Sequence, residues 1–375
     1  MTRKSSTDKS LPSPSQARSH ESFVLKLQQL LLCWFAEQKR ELPWRVTRDP
    51  YHIWVSEVML QQTQVVKVVP YFERFLERFP TIHHLAAAEE SAVLLSWEGL
   101  GYYRRARHLH QAAQVLVKDG GFLPADPDYW LALPGVGRYI MGAVLSQAFD
   151  LRLPIVEANS KRVLARFFGY KKSIQTSTGQ SWLWEAAESL LPSRQVGDFN
   201  QALMELGALV CTPLSPRCDD CPWRSDCAAR REGNQELLPV QAHEQVITKT
   251  QESAIMLLQG DRILLGKRPP HVRWGNLWEF PHLALRARET HLRAAHRLLK
   301  EYGIVAQLRS PFPTIHFAVI RYRIALVAFL ADYQSGNPRT PIHDELCWFQ
   351  LEQVAQLPMS NPQRRLISFL HTPPE

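Results

Sequence analysis

Residues 133–162 read LPGVGRYIMGAVLSQAFDLRLPIVEANSKR, and the opening five decide the fold. Leu133, Pro134, Gly135, Val136 and Gly137 lie between two runs of helical periodicity, residues 126–132 and 139–149, which makes them the turn of a helix-hairpin-helix. Gly135 and Gly137 permit positive φ and leave their amides uncovered, so consecutive N–H groups at a helix N-terminus can converge on a phosphate. A plain turn between helices would also favour glycine; the complete LPGVG favours the phosphate grip. Such a contact positions a nucleic acid without reading its bases. Further along, Glu157, Ala158 and Asn159 set a carboxylate beside an amide and two basic residues, Lys161 and Arg162. A chain that grips a backbone and places an acid beside it is suited to chemistry on nucleic acid.

Working outward, apolar residues recur at helical spacing over 21–37, 51–60, 64–78, 92–97, 106–119, 161–168, 181–190 and 199–210, without convincing strand alternation. The pattern predicts an all-α domain over 21–228. Pro70 is expected to start or kink its helix. Residues 1–20, rich in Ser, Lys and Pro, read as a disordered tail, and the polar, aperiodic stretch 229–250 as a linker. Beyond it the pattern changes to strands at 253–258, 262–268 and 320–331 with helices at 290–302 and 362–370, which predicts an α+β domain over 251–375.

The chain of 375 residues is 45% apolar, enough for two cores, and its net charge of +8 points weakly to a polyanionic partner. The N-terminus lacks the apolar stretch of a secretion signal, and no run of residues is long and apolar enough to span a bilayer. Four of the six cysteines, Cys211, Cys218, Cys221 and Cys227, crowd into a C-x6-C-x2-C-x5-C pattern, which reads as a metal site in a reducing compartment rather than a disulfide framework. Thiolate softness alone does not choose between zinc and a [4Fe-4S] cluster. Zinc ribbons usually carry two C-x2-C knuckles; here there is one. Pro213, Pro216, Arg217, Pro222 and Arg224 make the loop stiff and basic, while Cys33 and Cys347 read as packing residues.

In the stretch SEVMLQQTQ, Glu57, Gln61 and Gln64 fall at i, i+4 and i+7 and share a face if the helix continues that far. Glu57 stands among Trp54, Val55, Val58 and Met59, so its carboxyl is expected to be desolvated, raised in pKa and available as a proton donor. On pattern alone, a solvated Glu on an amphipathic helix is the simpler reading.

The motifs together shift that balance. LPWR at 42–45, SEVMLQQTQV at 56–65, GLGYYRRA at 99–106, LPGVG and the cysteine spacing resemble the MutY family. These are adenine DNA glycosylases of the helix-hairpin-helix, endonuclease III superfamily, which remove adenine mispaired with 8-oxoguanine or guanine. The resemblance runs over residues 22–228, and more loosely from 251 to the end. It implies a monomeric base excision repair enzyme of cytoplasm or nucleus whose partner is double-stranded DNA containing A:8-oxoguanine or A:G pairs. It implies a [4Fe-4S] cluster on Cys211, Cys218, Cys221 and Cys227. By the same resemblance Glu57 protonates the departing adenine; Trp44, Arg45 and Gln201 surround the flipped base; Leu60 and Gln62 contact the base-pair site; and Tyr102 wedges beside the opposite purine. Gly135 and Gly137 form the phosphate grip. Bifunctional relatives carry Lys where this chain has Tyr139, and a phenol forms no Schiff base, so a monofunctional enzyme is expected.

Two departures from the family pattern matter. Glu157, Ala158 and Asn159 replace Asp-Gly-Asn, whose acid stabilises the positive sugar and whose Asn orients it; the extra methylene adds about 1.5 Å of reach. The C-terminal domain resembles a Nudix-like lesion-recognition domain, opening with Trp274 to Pro281, but over 295–304 only Glu301 matches the carboxylates that hold Mg²⁺. Its recognition loop falls at Ala318, Val319 and Ile320, without a hydroxyl or imidazole, though His316, Arg321, Tyr322 and Arg323 flank it. Two alternatives stay open: a relative retuned to another base, such as T opposite G, and a catalytically weak lesion-binding protein.

Overall fold

The computed structural model describes residues 14–240, 247–340 and 342–371. Up to residue 240 the described chain forms no strand, only an isolated bridge between Ser173 and Val240. Its helices are α1 (Pro14–Gln38), α2 (Pro50–Leu60), α3 (Val65–Arg78), α4 (Ile82–Ala87), α5 (Glu90–Ser96), α6 (Arg104–Lys118), α7 (Pro127–Ala132), α8 (Arg138–Phe149), α9 (Ala158–Phe167), α10 (Ser177–Leu190), α11 (Val196–Leu209) and α12 (Ala228–Glu232). The α+β part follows: β1 (Thr248–Gln259), β2 (Arg262–Lys267), β3 (Trp278–Glu279), β4 (His282–Ala284), α13 (His291–Glu301), β5 (Ile304–Pro311), β6 (Ile315–Val319), β7 (Tyr322–Gly336), β8 (Glu345–Gln350), α14 (Leu351–Val354) and α15 (Asn361–His371). Most of the expected tail, residues 1–13, lies outside the described residues, as do 241–246 of the expected linker.

The chain divides into two compact units, with cuts after Glu57, Phe122 and Ala242. In the first unit, α1 and α9–α11 enclose a core that includes Leu27, Leu31, Val163, Leu164, Phe199 and Leu203. Helix starts follow the side chains that cap them: Asp126 accepts from the amides of Asp128 and Tyr129 at α7, where Pro127 needs no donor, and Thr176 accepts from Gly179 at α10.

In the second unit, α3–α6 group with the sheet, whose strand order is β3-β2-β1-β7-β5; β4 pairs with β1, β6 with β7 and β8 with β2. β1 and β7 run parallel from Thr248↔Tyr322 to Leu258↔Asp332. Alternation along β1 sends Ala254 and Met256 to a core shared with Val354, Leu366 and Ile367, and Ile255 and Leu257 to one shared with Leu298, Leu299 and Tyr302. Both faces are thus covered by helix, which is why β1 reads as a continuous apolar run.

Three local expectations change. Helix α2 stops at Leu60 because Gln62 takes a left-handed backbone (φ 56°), and Gln64 becomes the N-cap of α3, so Gln61 and Gln64 leave the face that Glu57 occupies. Pro70 lies inside α3, which begins ahead of it at Val65. Residues 315–319 form a strand of their own, paired antiparallel with β7, and Ile320 (φ 53°) belongs to the turn between them.

The cysteine loop requires a larger correction. The family resemblance implies a [4Fe-4S] cluster on Cys211, Cys218, Cys221 and Cys227, but among the described residues no group of three or more His, Cys, Asp or Glu is disposed to hold a metal ion. None of the four is in a disulfide. Arginine ties the loop down instead. Arg162 Nε donates to the Cys211 carbonyl (2.7 Å), and Arg166 donates to the carbonyls of Thr212 (2.6 Å), Pro213 (2.9 Å) and Leu238 (2.9 Å). Cys211, Cys221 and Cys227 pack against the apolar core. Burial, reinforced by the neighbouring thiols, pushes the Cys221 thiol up to about 12 and raises Cys218 and Cys227. Spacing counts sulfurs; it does not register the two arginines that close the loop.

Candidate active site

Helix α2 is apolar nearly all round, so its one carboxylate is carried into the interior. Glu57 is 3% exposed, and Trp54, one turn before it, stacks edge-on against Trp130 at 5.5 Å. Helix α8 supplies both of its hydrogen-bond partners. The Tyr139 hydroxyl donates to Oε2 at 2.6 Å and the Gln147 amide donates to Oε1 at 2.8 Å. Burial raises the Glu57 pKa, and the bonds from Tyr139 and Gln147 with the charge of Arg45 offset only part of that rise. The Tyr139 phenol is held well above its usual range by burial, then by the charges of Glu57 and Glu157. The position that decides between amine and phenol chemistry therefore holds a neutral donor in contact with the acid.

Glu157 is the N-cap of α9. Its Oε1 accepts from the Ser160 amide (2.7 Å) and its Oε2 from the Asn159 side chain (3.3 Å), while Ser160 Oγ accepts from the Glu157 amide (2.8 Å). The longer side chain is thus folded back onto its own helix. Burial raises its pKa, bonds from the Asn159 and Ser160 backbone lower it, and the charge of Glu57 raises it again. Arg162 fixes the amide of Asn159, donating to Asn159 Oδ1 and to the Gly207 carbonyl, each at 2.8 Å.

Trp44 and Arg45 sit in a 3-10 turn, Pro43–Arg45, with Trp44 buried. Arg45 Nε donates to Gln201 Oε1 (3.0 Å), and its NH2 pairs with Glu205 (2.9 Å). Arg40 binds the same carboxylate through Nε (2.8 Å) and NH2 (2.7 Å). Burial alone would raise the Glu205 pKa; the bonds from Arg40 and Arg45 outweigh it and hold the carboxylate at about 2. Trp44, Arg45, Gln147, Asp150 and Gln201 line an open cleft with about 410 Å³ of free space including its mouth. Gln147 and Glu205 escape the sequence reading. The available signal is a polar pair, Ser146 and Gln147, in the apolar run LSQAF and a lone Glu in ALMELGAL.

In the hairpin, Gly135 has φ 74° and Gly137 is the N-cap of α8; both are exposed. A Cβ on Gly137 would meet no protein atom within 4 Å, so nothing inside the protein demands glycine there. The missing side chain leaves the α8 amides open to an outside anion.

Leu60, Gln62 and Tyr102 belong to the second unit. Gln62 and Tyr102 are exposed, and both adopt left-handed backbones (φ 56° and 50°). Tyr103, next to Tyr102, is buried and donates to the Met359 carbonyl (2.9 Å), and Arg364 pairs with Glu98 (2.7 Å). Glu301 is bonded to Arg297 (3.3 Å), which also pairs with Glu289 (2.7 Å). The exposed Ile320 at the β6–β7 turn is followed by Arg321, Tyr322 and Arg323, and Arg273 lies over the rings of Trp274 (4.7 Å) and Tyr322 (6.0 Å).

A glycine hairpin opening one helix and a buried acid on another define a base-excision enzyme of the helix-hairpin-helix class. Residues 55–188 match the HhH-GPD superfamily of base excision DNA repair proteins, and residues 253–369 match the NUDIX domain. The adenine DNA glycosylase of Buchnera aphidicola subsp. Baizongia pistaciae (strain Bp) is 37% identical over 263 residues, covering 69% of this chain and 74% of that protein. That of Rattus norvegicus is 34% identical over 355 residues, covering 80% of this chain and 68% of that one. Among solved structures, a thermostable thymine-DNA glycosylase is similar at 31% identity with a TM-score of 0.52, over 58% of this chain and 99% of that one. The chain belongs to the adenine DNA glycosylases of the HhH-GPD superfamily, and it is an adenine-specific DNA glycosylase, a hydrolase of base excision repair. Among the described residues no helix is long and apolar enough to cross a membrane.

Proposed function

We propose that this enzyme removes adenine mispaired with 8-oxoguanine or guanine by a monofunctional mechanism in which Glu57 is the general acid. The observation that carries this reading is the Glu57 carboxyl, buried, raised in pKa and bonded only by the neutral donors Tyr139 and Gln147. As the bond between sugar carbon and base nitrogen breaks, its electron pair stays with adenine, and Glu57 gives its proton to a ring nitrogen. Glu157, positioned with Asn159, faces the positive charge left on the sugar; water then adds to the carbon and returns a proton to Glu57. Tyr139 offers no amine, so the sugar–phosphate strand is left intact. Trp44, Arg45 and Gln201 take the flipped adenine, an aromatic face and polar edges beside the cleft. Gly135 and Gly137 grip a phosphate, and Leu60, Gln62 and Tyr102 contact the base-pair site. The C-terminal unit meets the opposite purine through the β6–β7 turn. Its arginines and Tyr322 suit stacking and phosphate contact more than reading of the lesion's edge, so preference for 8-oxoguanine over guanine is reduced.

The test is single-turnover base release from A:8-oxoguanine, A:G and T:G duplexes by the wild type, Glu57→Gln and Glu157→Asp. The likeness to a thymine-DNA glycosylase makes T:G the informative third duplex. Adenine release that disappears in Glu57→Gln is expected; undiminished release in that variant removes the assigned acid, and release only from T:G removes the assigned pair. A Glu157→Ala variant as fast as the wild type would remove the role given to that carboxylate.

A further inference from the structure

Arg105, in the first turn of α6, is bound almost wholly by backbone oxygen. Its NH1 donates to the carbonyls of Val58 (2.8 Å), Met59 (2.8 Å) and Gln61, and its NH2 to Thr63 Oγ1 (3.1 Å) and the Gly101 carbonyl (3.2 Å). Its Nε is buried without a partner, and it makes no ion pair among the described residues. The guanidinium lies 5.6 Å from the Tyr102 ring centre and 5.5 Å from that of Trp97, whose indole N–H donates to the same Gly101 carbonyl (3.2 Å). An arginine held away from every carboxylate is costly to bury: burial lowers its pKa to about 10.

What it joins explains the expense. Val58 and Met59 are in the last turn of α2, where carbonyls have no helical donor and the dipole favours a cation. Gln61 and Thr63 flank Gln62, and Gly101 precedes Tyr102. Gln62 and Tyr102 are both exposed and both left-handed, conformations a non-glycine residue holds only when its surroundings impose them. Arg105 bonds both segments and the end of α2. Lysine, a compact ammonium without the planar fork, cannot reach these five oxygens together.

We propose that Arg105 is a positioning residue that locks Gln62 and Tyr102 into a single two-pronged wedge at the end of α2, and that the wedge serves to drive the target adenine out of the stack. The proposal rests on the reading of Gln62 and Tyr102 as DNA contacts. A wedge matters when the base has to be unstacked and much less when it already is, because extrusion from an intact duplex carries the unstacking cost. The experiment compares single-turnover adenine release from an intact A:G duplex with release from a duplex in which the target adenine and its neighbours on both sides are unpaired, for the wild type, Arg105→Lys, Thr63→Val and Tyr102→Ala.

Arg105→Lys is expected to slow release from the intact duplex about a hundredfold, the scale of a misplacement of about 1 Å, and to stay within about threefold of wild type on the unpaired substrate. Thr63→Val removes one of the five acceptors with little change in volume and is expected to show a smaller loss of the same selectivity; it carries the test if Arg105→Lys does not fold. Equal losses on both substrates, or wild-type rates on the intact duplex, overturn the proposal. If Tyr102→Ala shows no selectivity, the wedge reading itself fails; if Tyr102→Ala is selective and Arg105→Lys and Thr63→Val are not, only the role of Arg105 fails.

Discussion

Gly207 is the point at which α11 approaches the first turn of α9, and replacing it by alanine tests whether that approach sets the catalytic geometry. A Cβ there would stand 2.6 Å from Asn159 Cβ and 2.9 Å from the Asn159 carbonyl oxygen. Carbon atoms settle at about 3.5–4.0 Å, so the two helices must part locally by about 1 Å. Backbone lies on one side of the contact, and no flexible side-chain end can yield. Asn159 is in the turn that Glu157 caps, and Arg162 bridges Asn159 Oδ1 to the Gly207 carbonyl, so acid, amide and bridge move together. Overpacking of this kind costs about 1–3 kcal/mol, which lowers the melting temperature without unfolding the chain at 25 °C. The rate effect is larger: about 1 Å at a catalytic group is worth on the order of a hundredfold. The assay is single-turnover adenine release at saturating enzyme, with binding to an uncleaved duplex measured in parallel. The hairpin at Gly135 and Gly137 is untouched, so affinity should hold while the rate falls. A Gly207→Ala enzyme that releases adenine at the wild-type rate would refute the reasoning, because either the helices would have absorbed the methyl elsewhere or Asn159 and Glu157 would not govern the rate.

Three further outcomes follow from the same geometry. Under the proposed mechanism Glu57 acts protonated and Glu157 ionised, and burial raises both, so the rate should fall on the alkaline side as Glu57 loses its proton and on the acid side as Glu157 gains one; a wild-type profile without the alkaline limb removes Glu57 as acid. Glu205 is held below its ordinary value, so its stabilisation is complete above about pH 4.5 and is lost as the pH falls toward about 2; denaturant titrations of wild type and Glu205→Gln should converge across that window, having differed by about 2–3 kcal/mol at neutral pH after allowing for the partly exposed Arg40. Gly137→Ala should leave the melting temperature unchanged, since its methyl meets no protein atom, yet weaken duplex binding about tenfold and reduce its salt dependence; unchanged binding would mean that no phosphate sits there.

The burial of Glu57 was only half legible: its apolar neighbours in sequence are also its neighbours in the helix, but a solvated Glu fits the same pattern, and only the family motifs tipped the reading. Tyr139 stood out only by comparison with relatives that carry Lys there; its place as the second residue of a helix whose start the glycines mark was legible, and its contact with Glu57 was not. Glu205 was not, because its partners Arg40 and Arg45 lie 165 and 160 positions away, and nothing in a periodic pattern says which distant element will meet it. The six residues of α4 are too few to display a period, and only Thr81 as its cap betrays it. The strand break at Ile320 was hidden because a β-branched residue is an unusual choice for a left-handed turn. In the cysteine loop the spacing misled for the same reason that Glu205 was missed: Arg162 and Arg166, which fix the loop, come from α9.

Three carboxylates of the first unit, Glu57, Glu157 and Glu205, are shifted in different directions by what surrounds them, and Arg45 bears on two of them. Glu205 receives Arg45 and Arg40 in direct ion pairs and is ionised despite its burial. Glu57 receives only a phenol and an amide, with Arg45 acting on it through space, and burial prevails. Glu157 stands between them: backbone amides favour its charge, while burial and Glu57 oppose it. A direct Arg45–Glu57 pair would ionise the acid and remove the proton that the leaving base needs. Glu205 prevents this by binding the guanidinium, and in doing so aims Arg45 Nε at Gln201 beside the cleft. Arg45 thus keeps Glu205 charged by direct contact, acts on Glu57 only through space and against the stronger effect of burial, and orders the polar edge of the cleft, so one arginine bears on both the acid and the cleft.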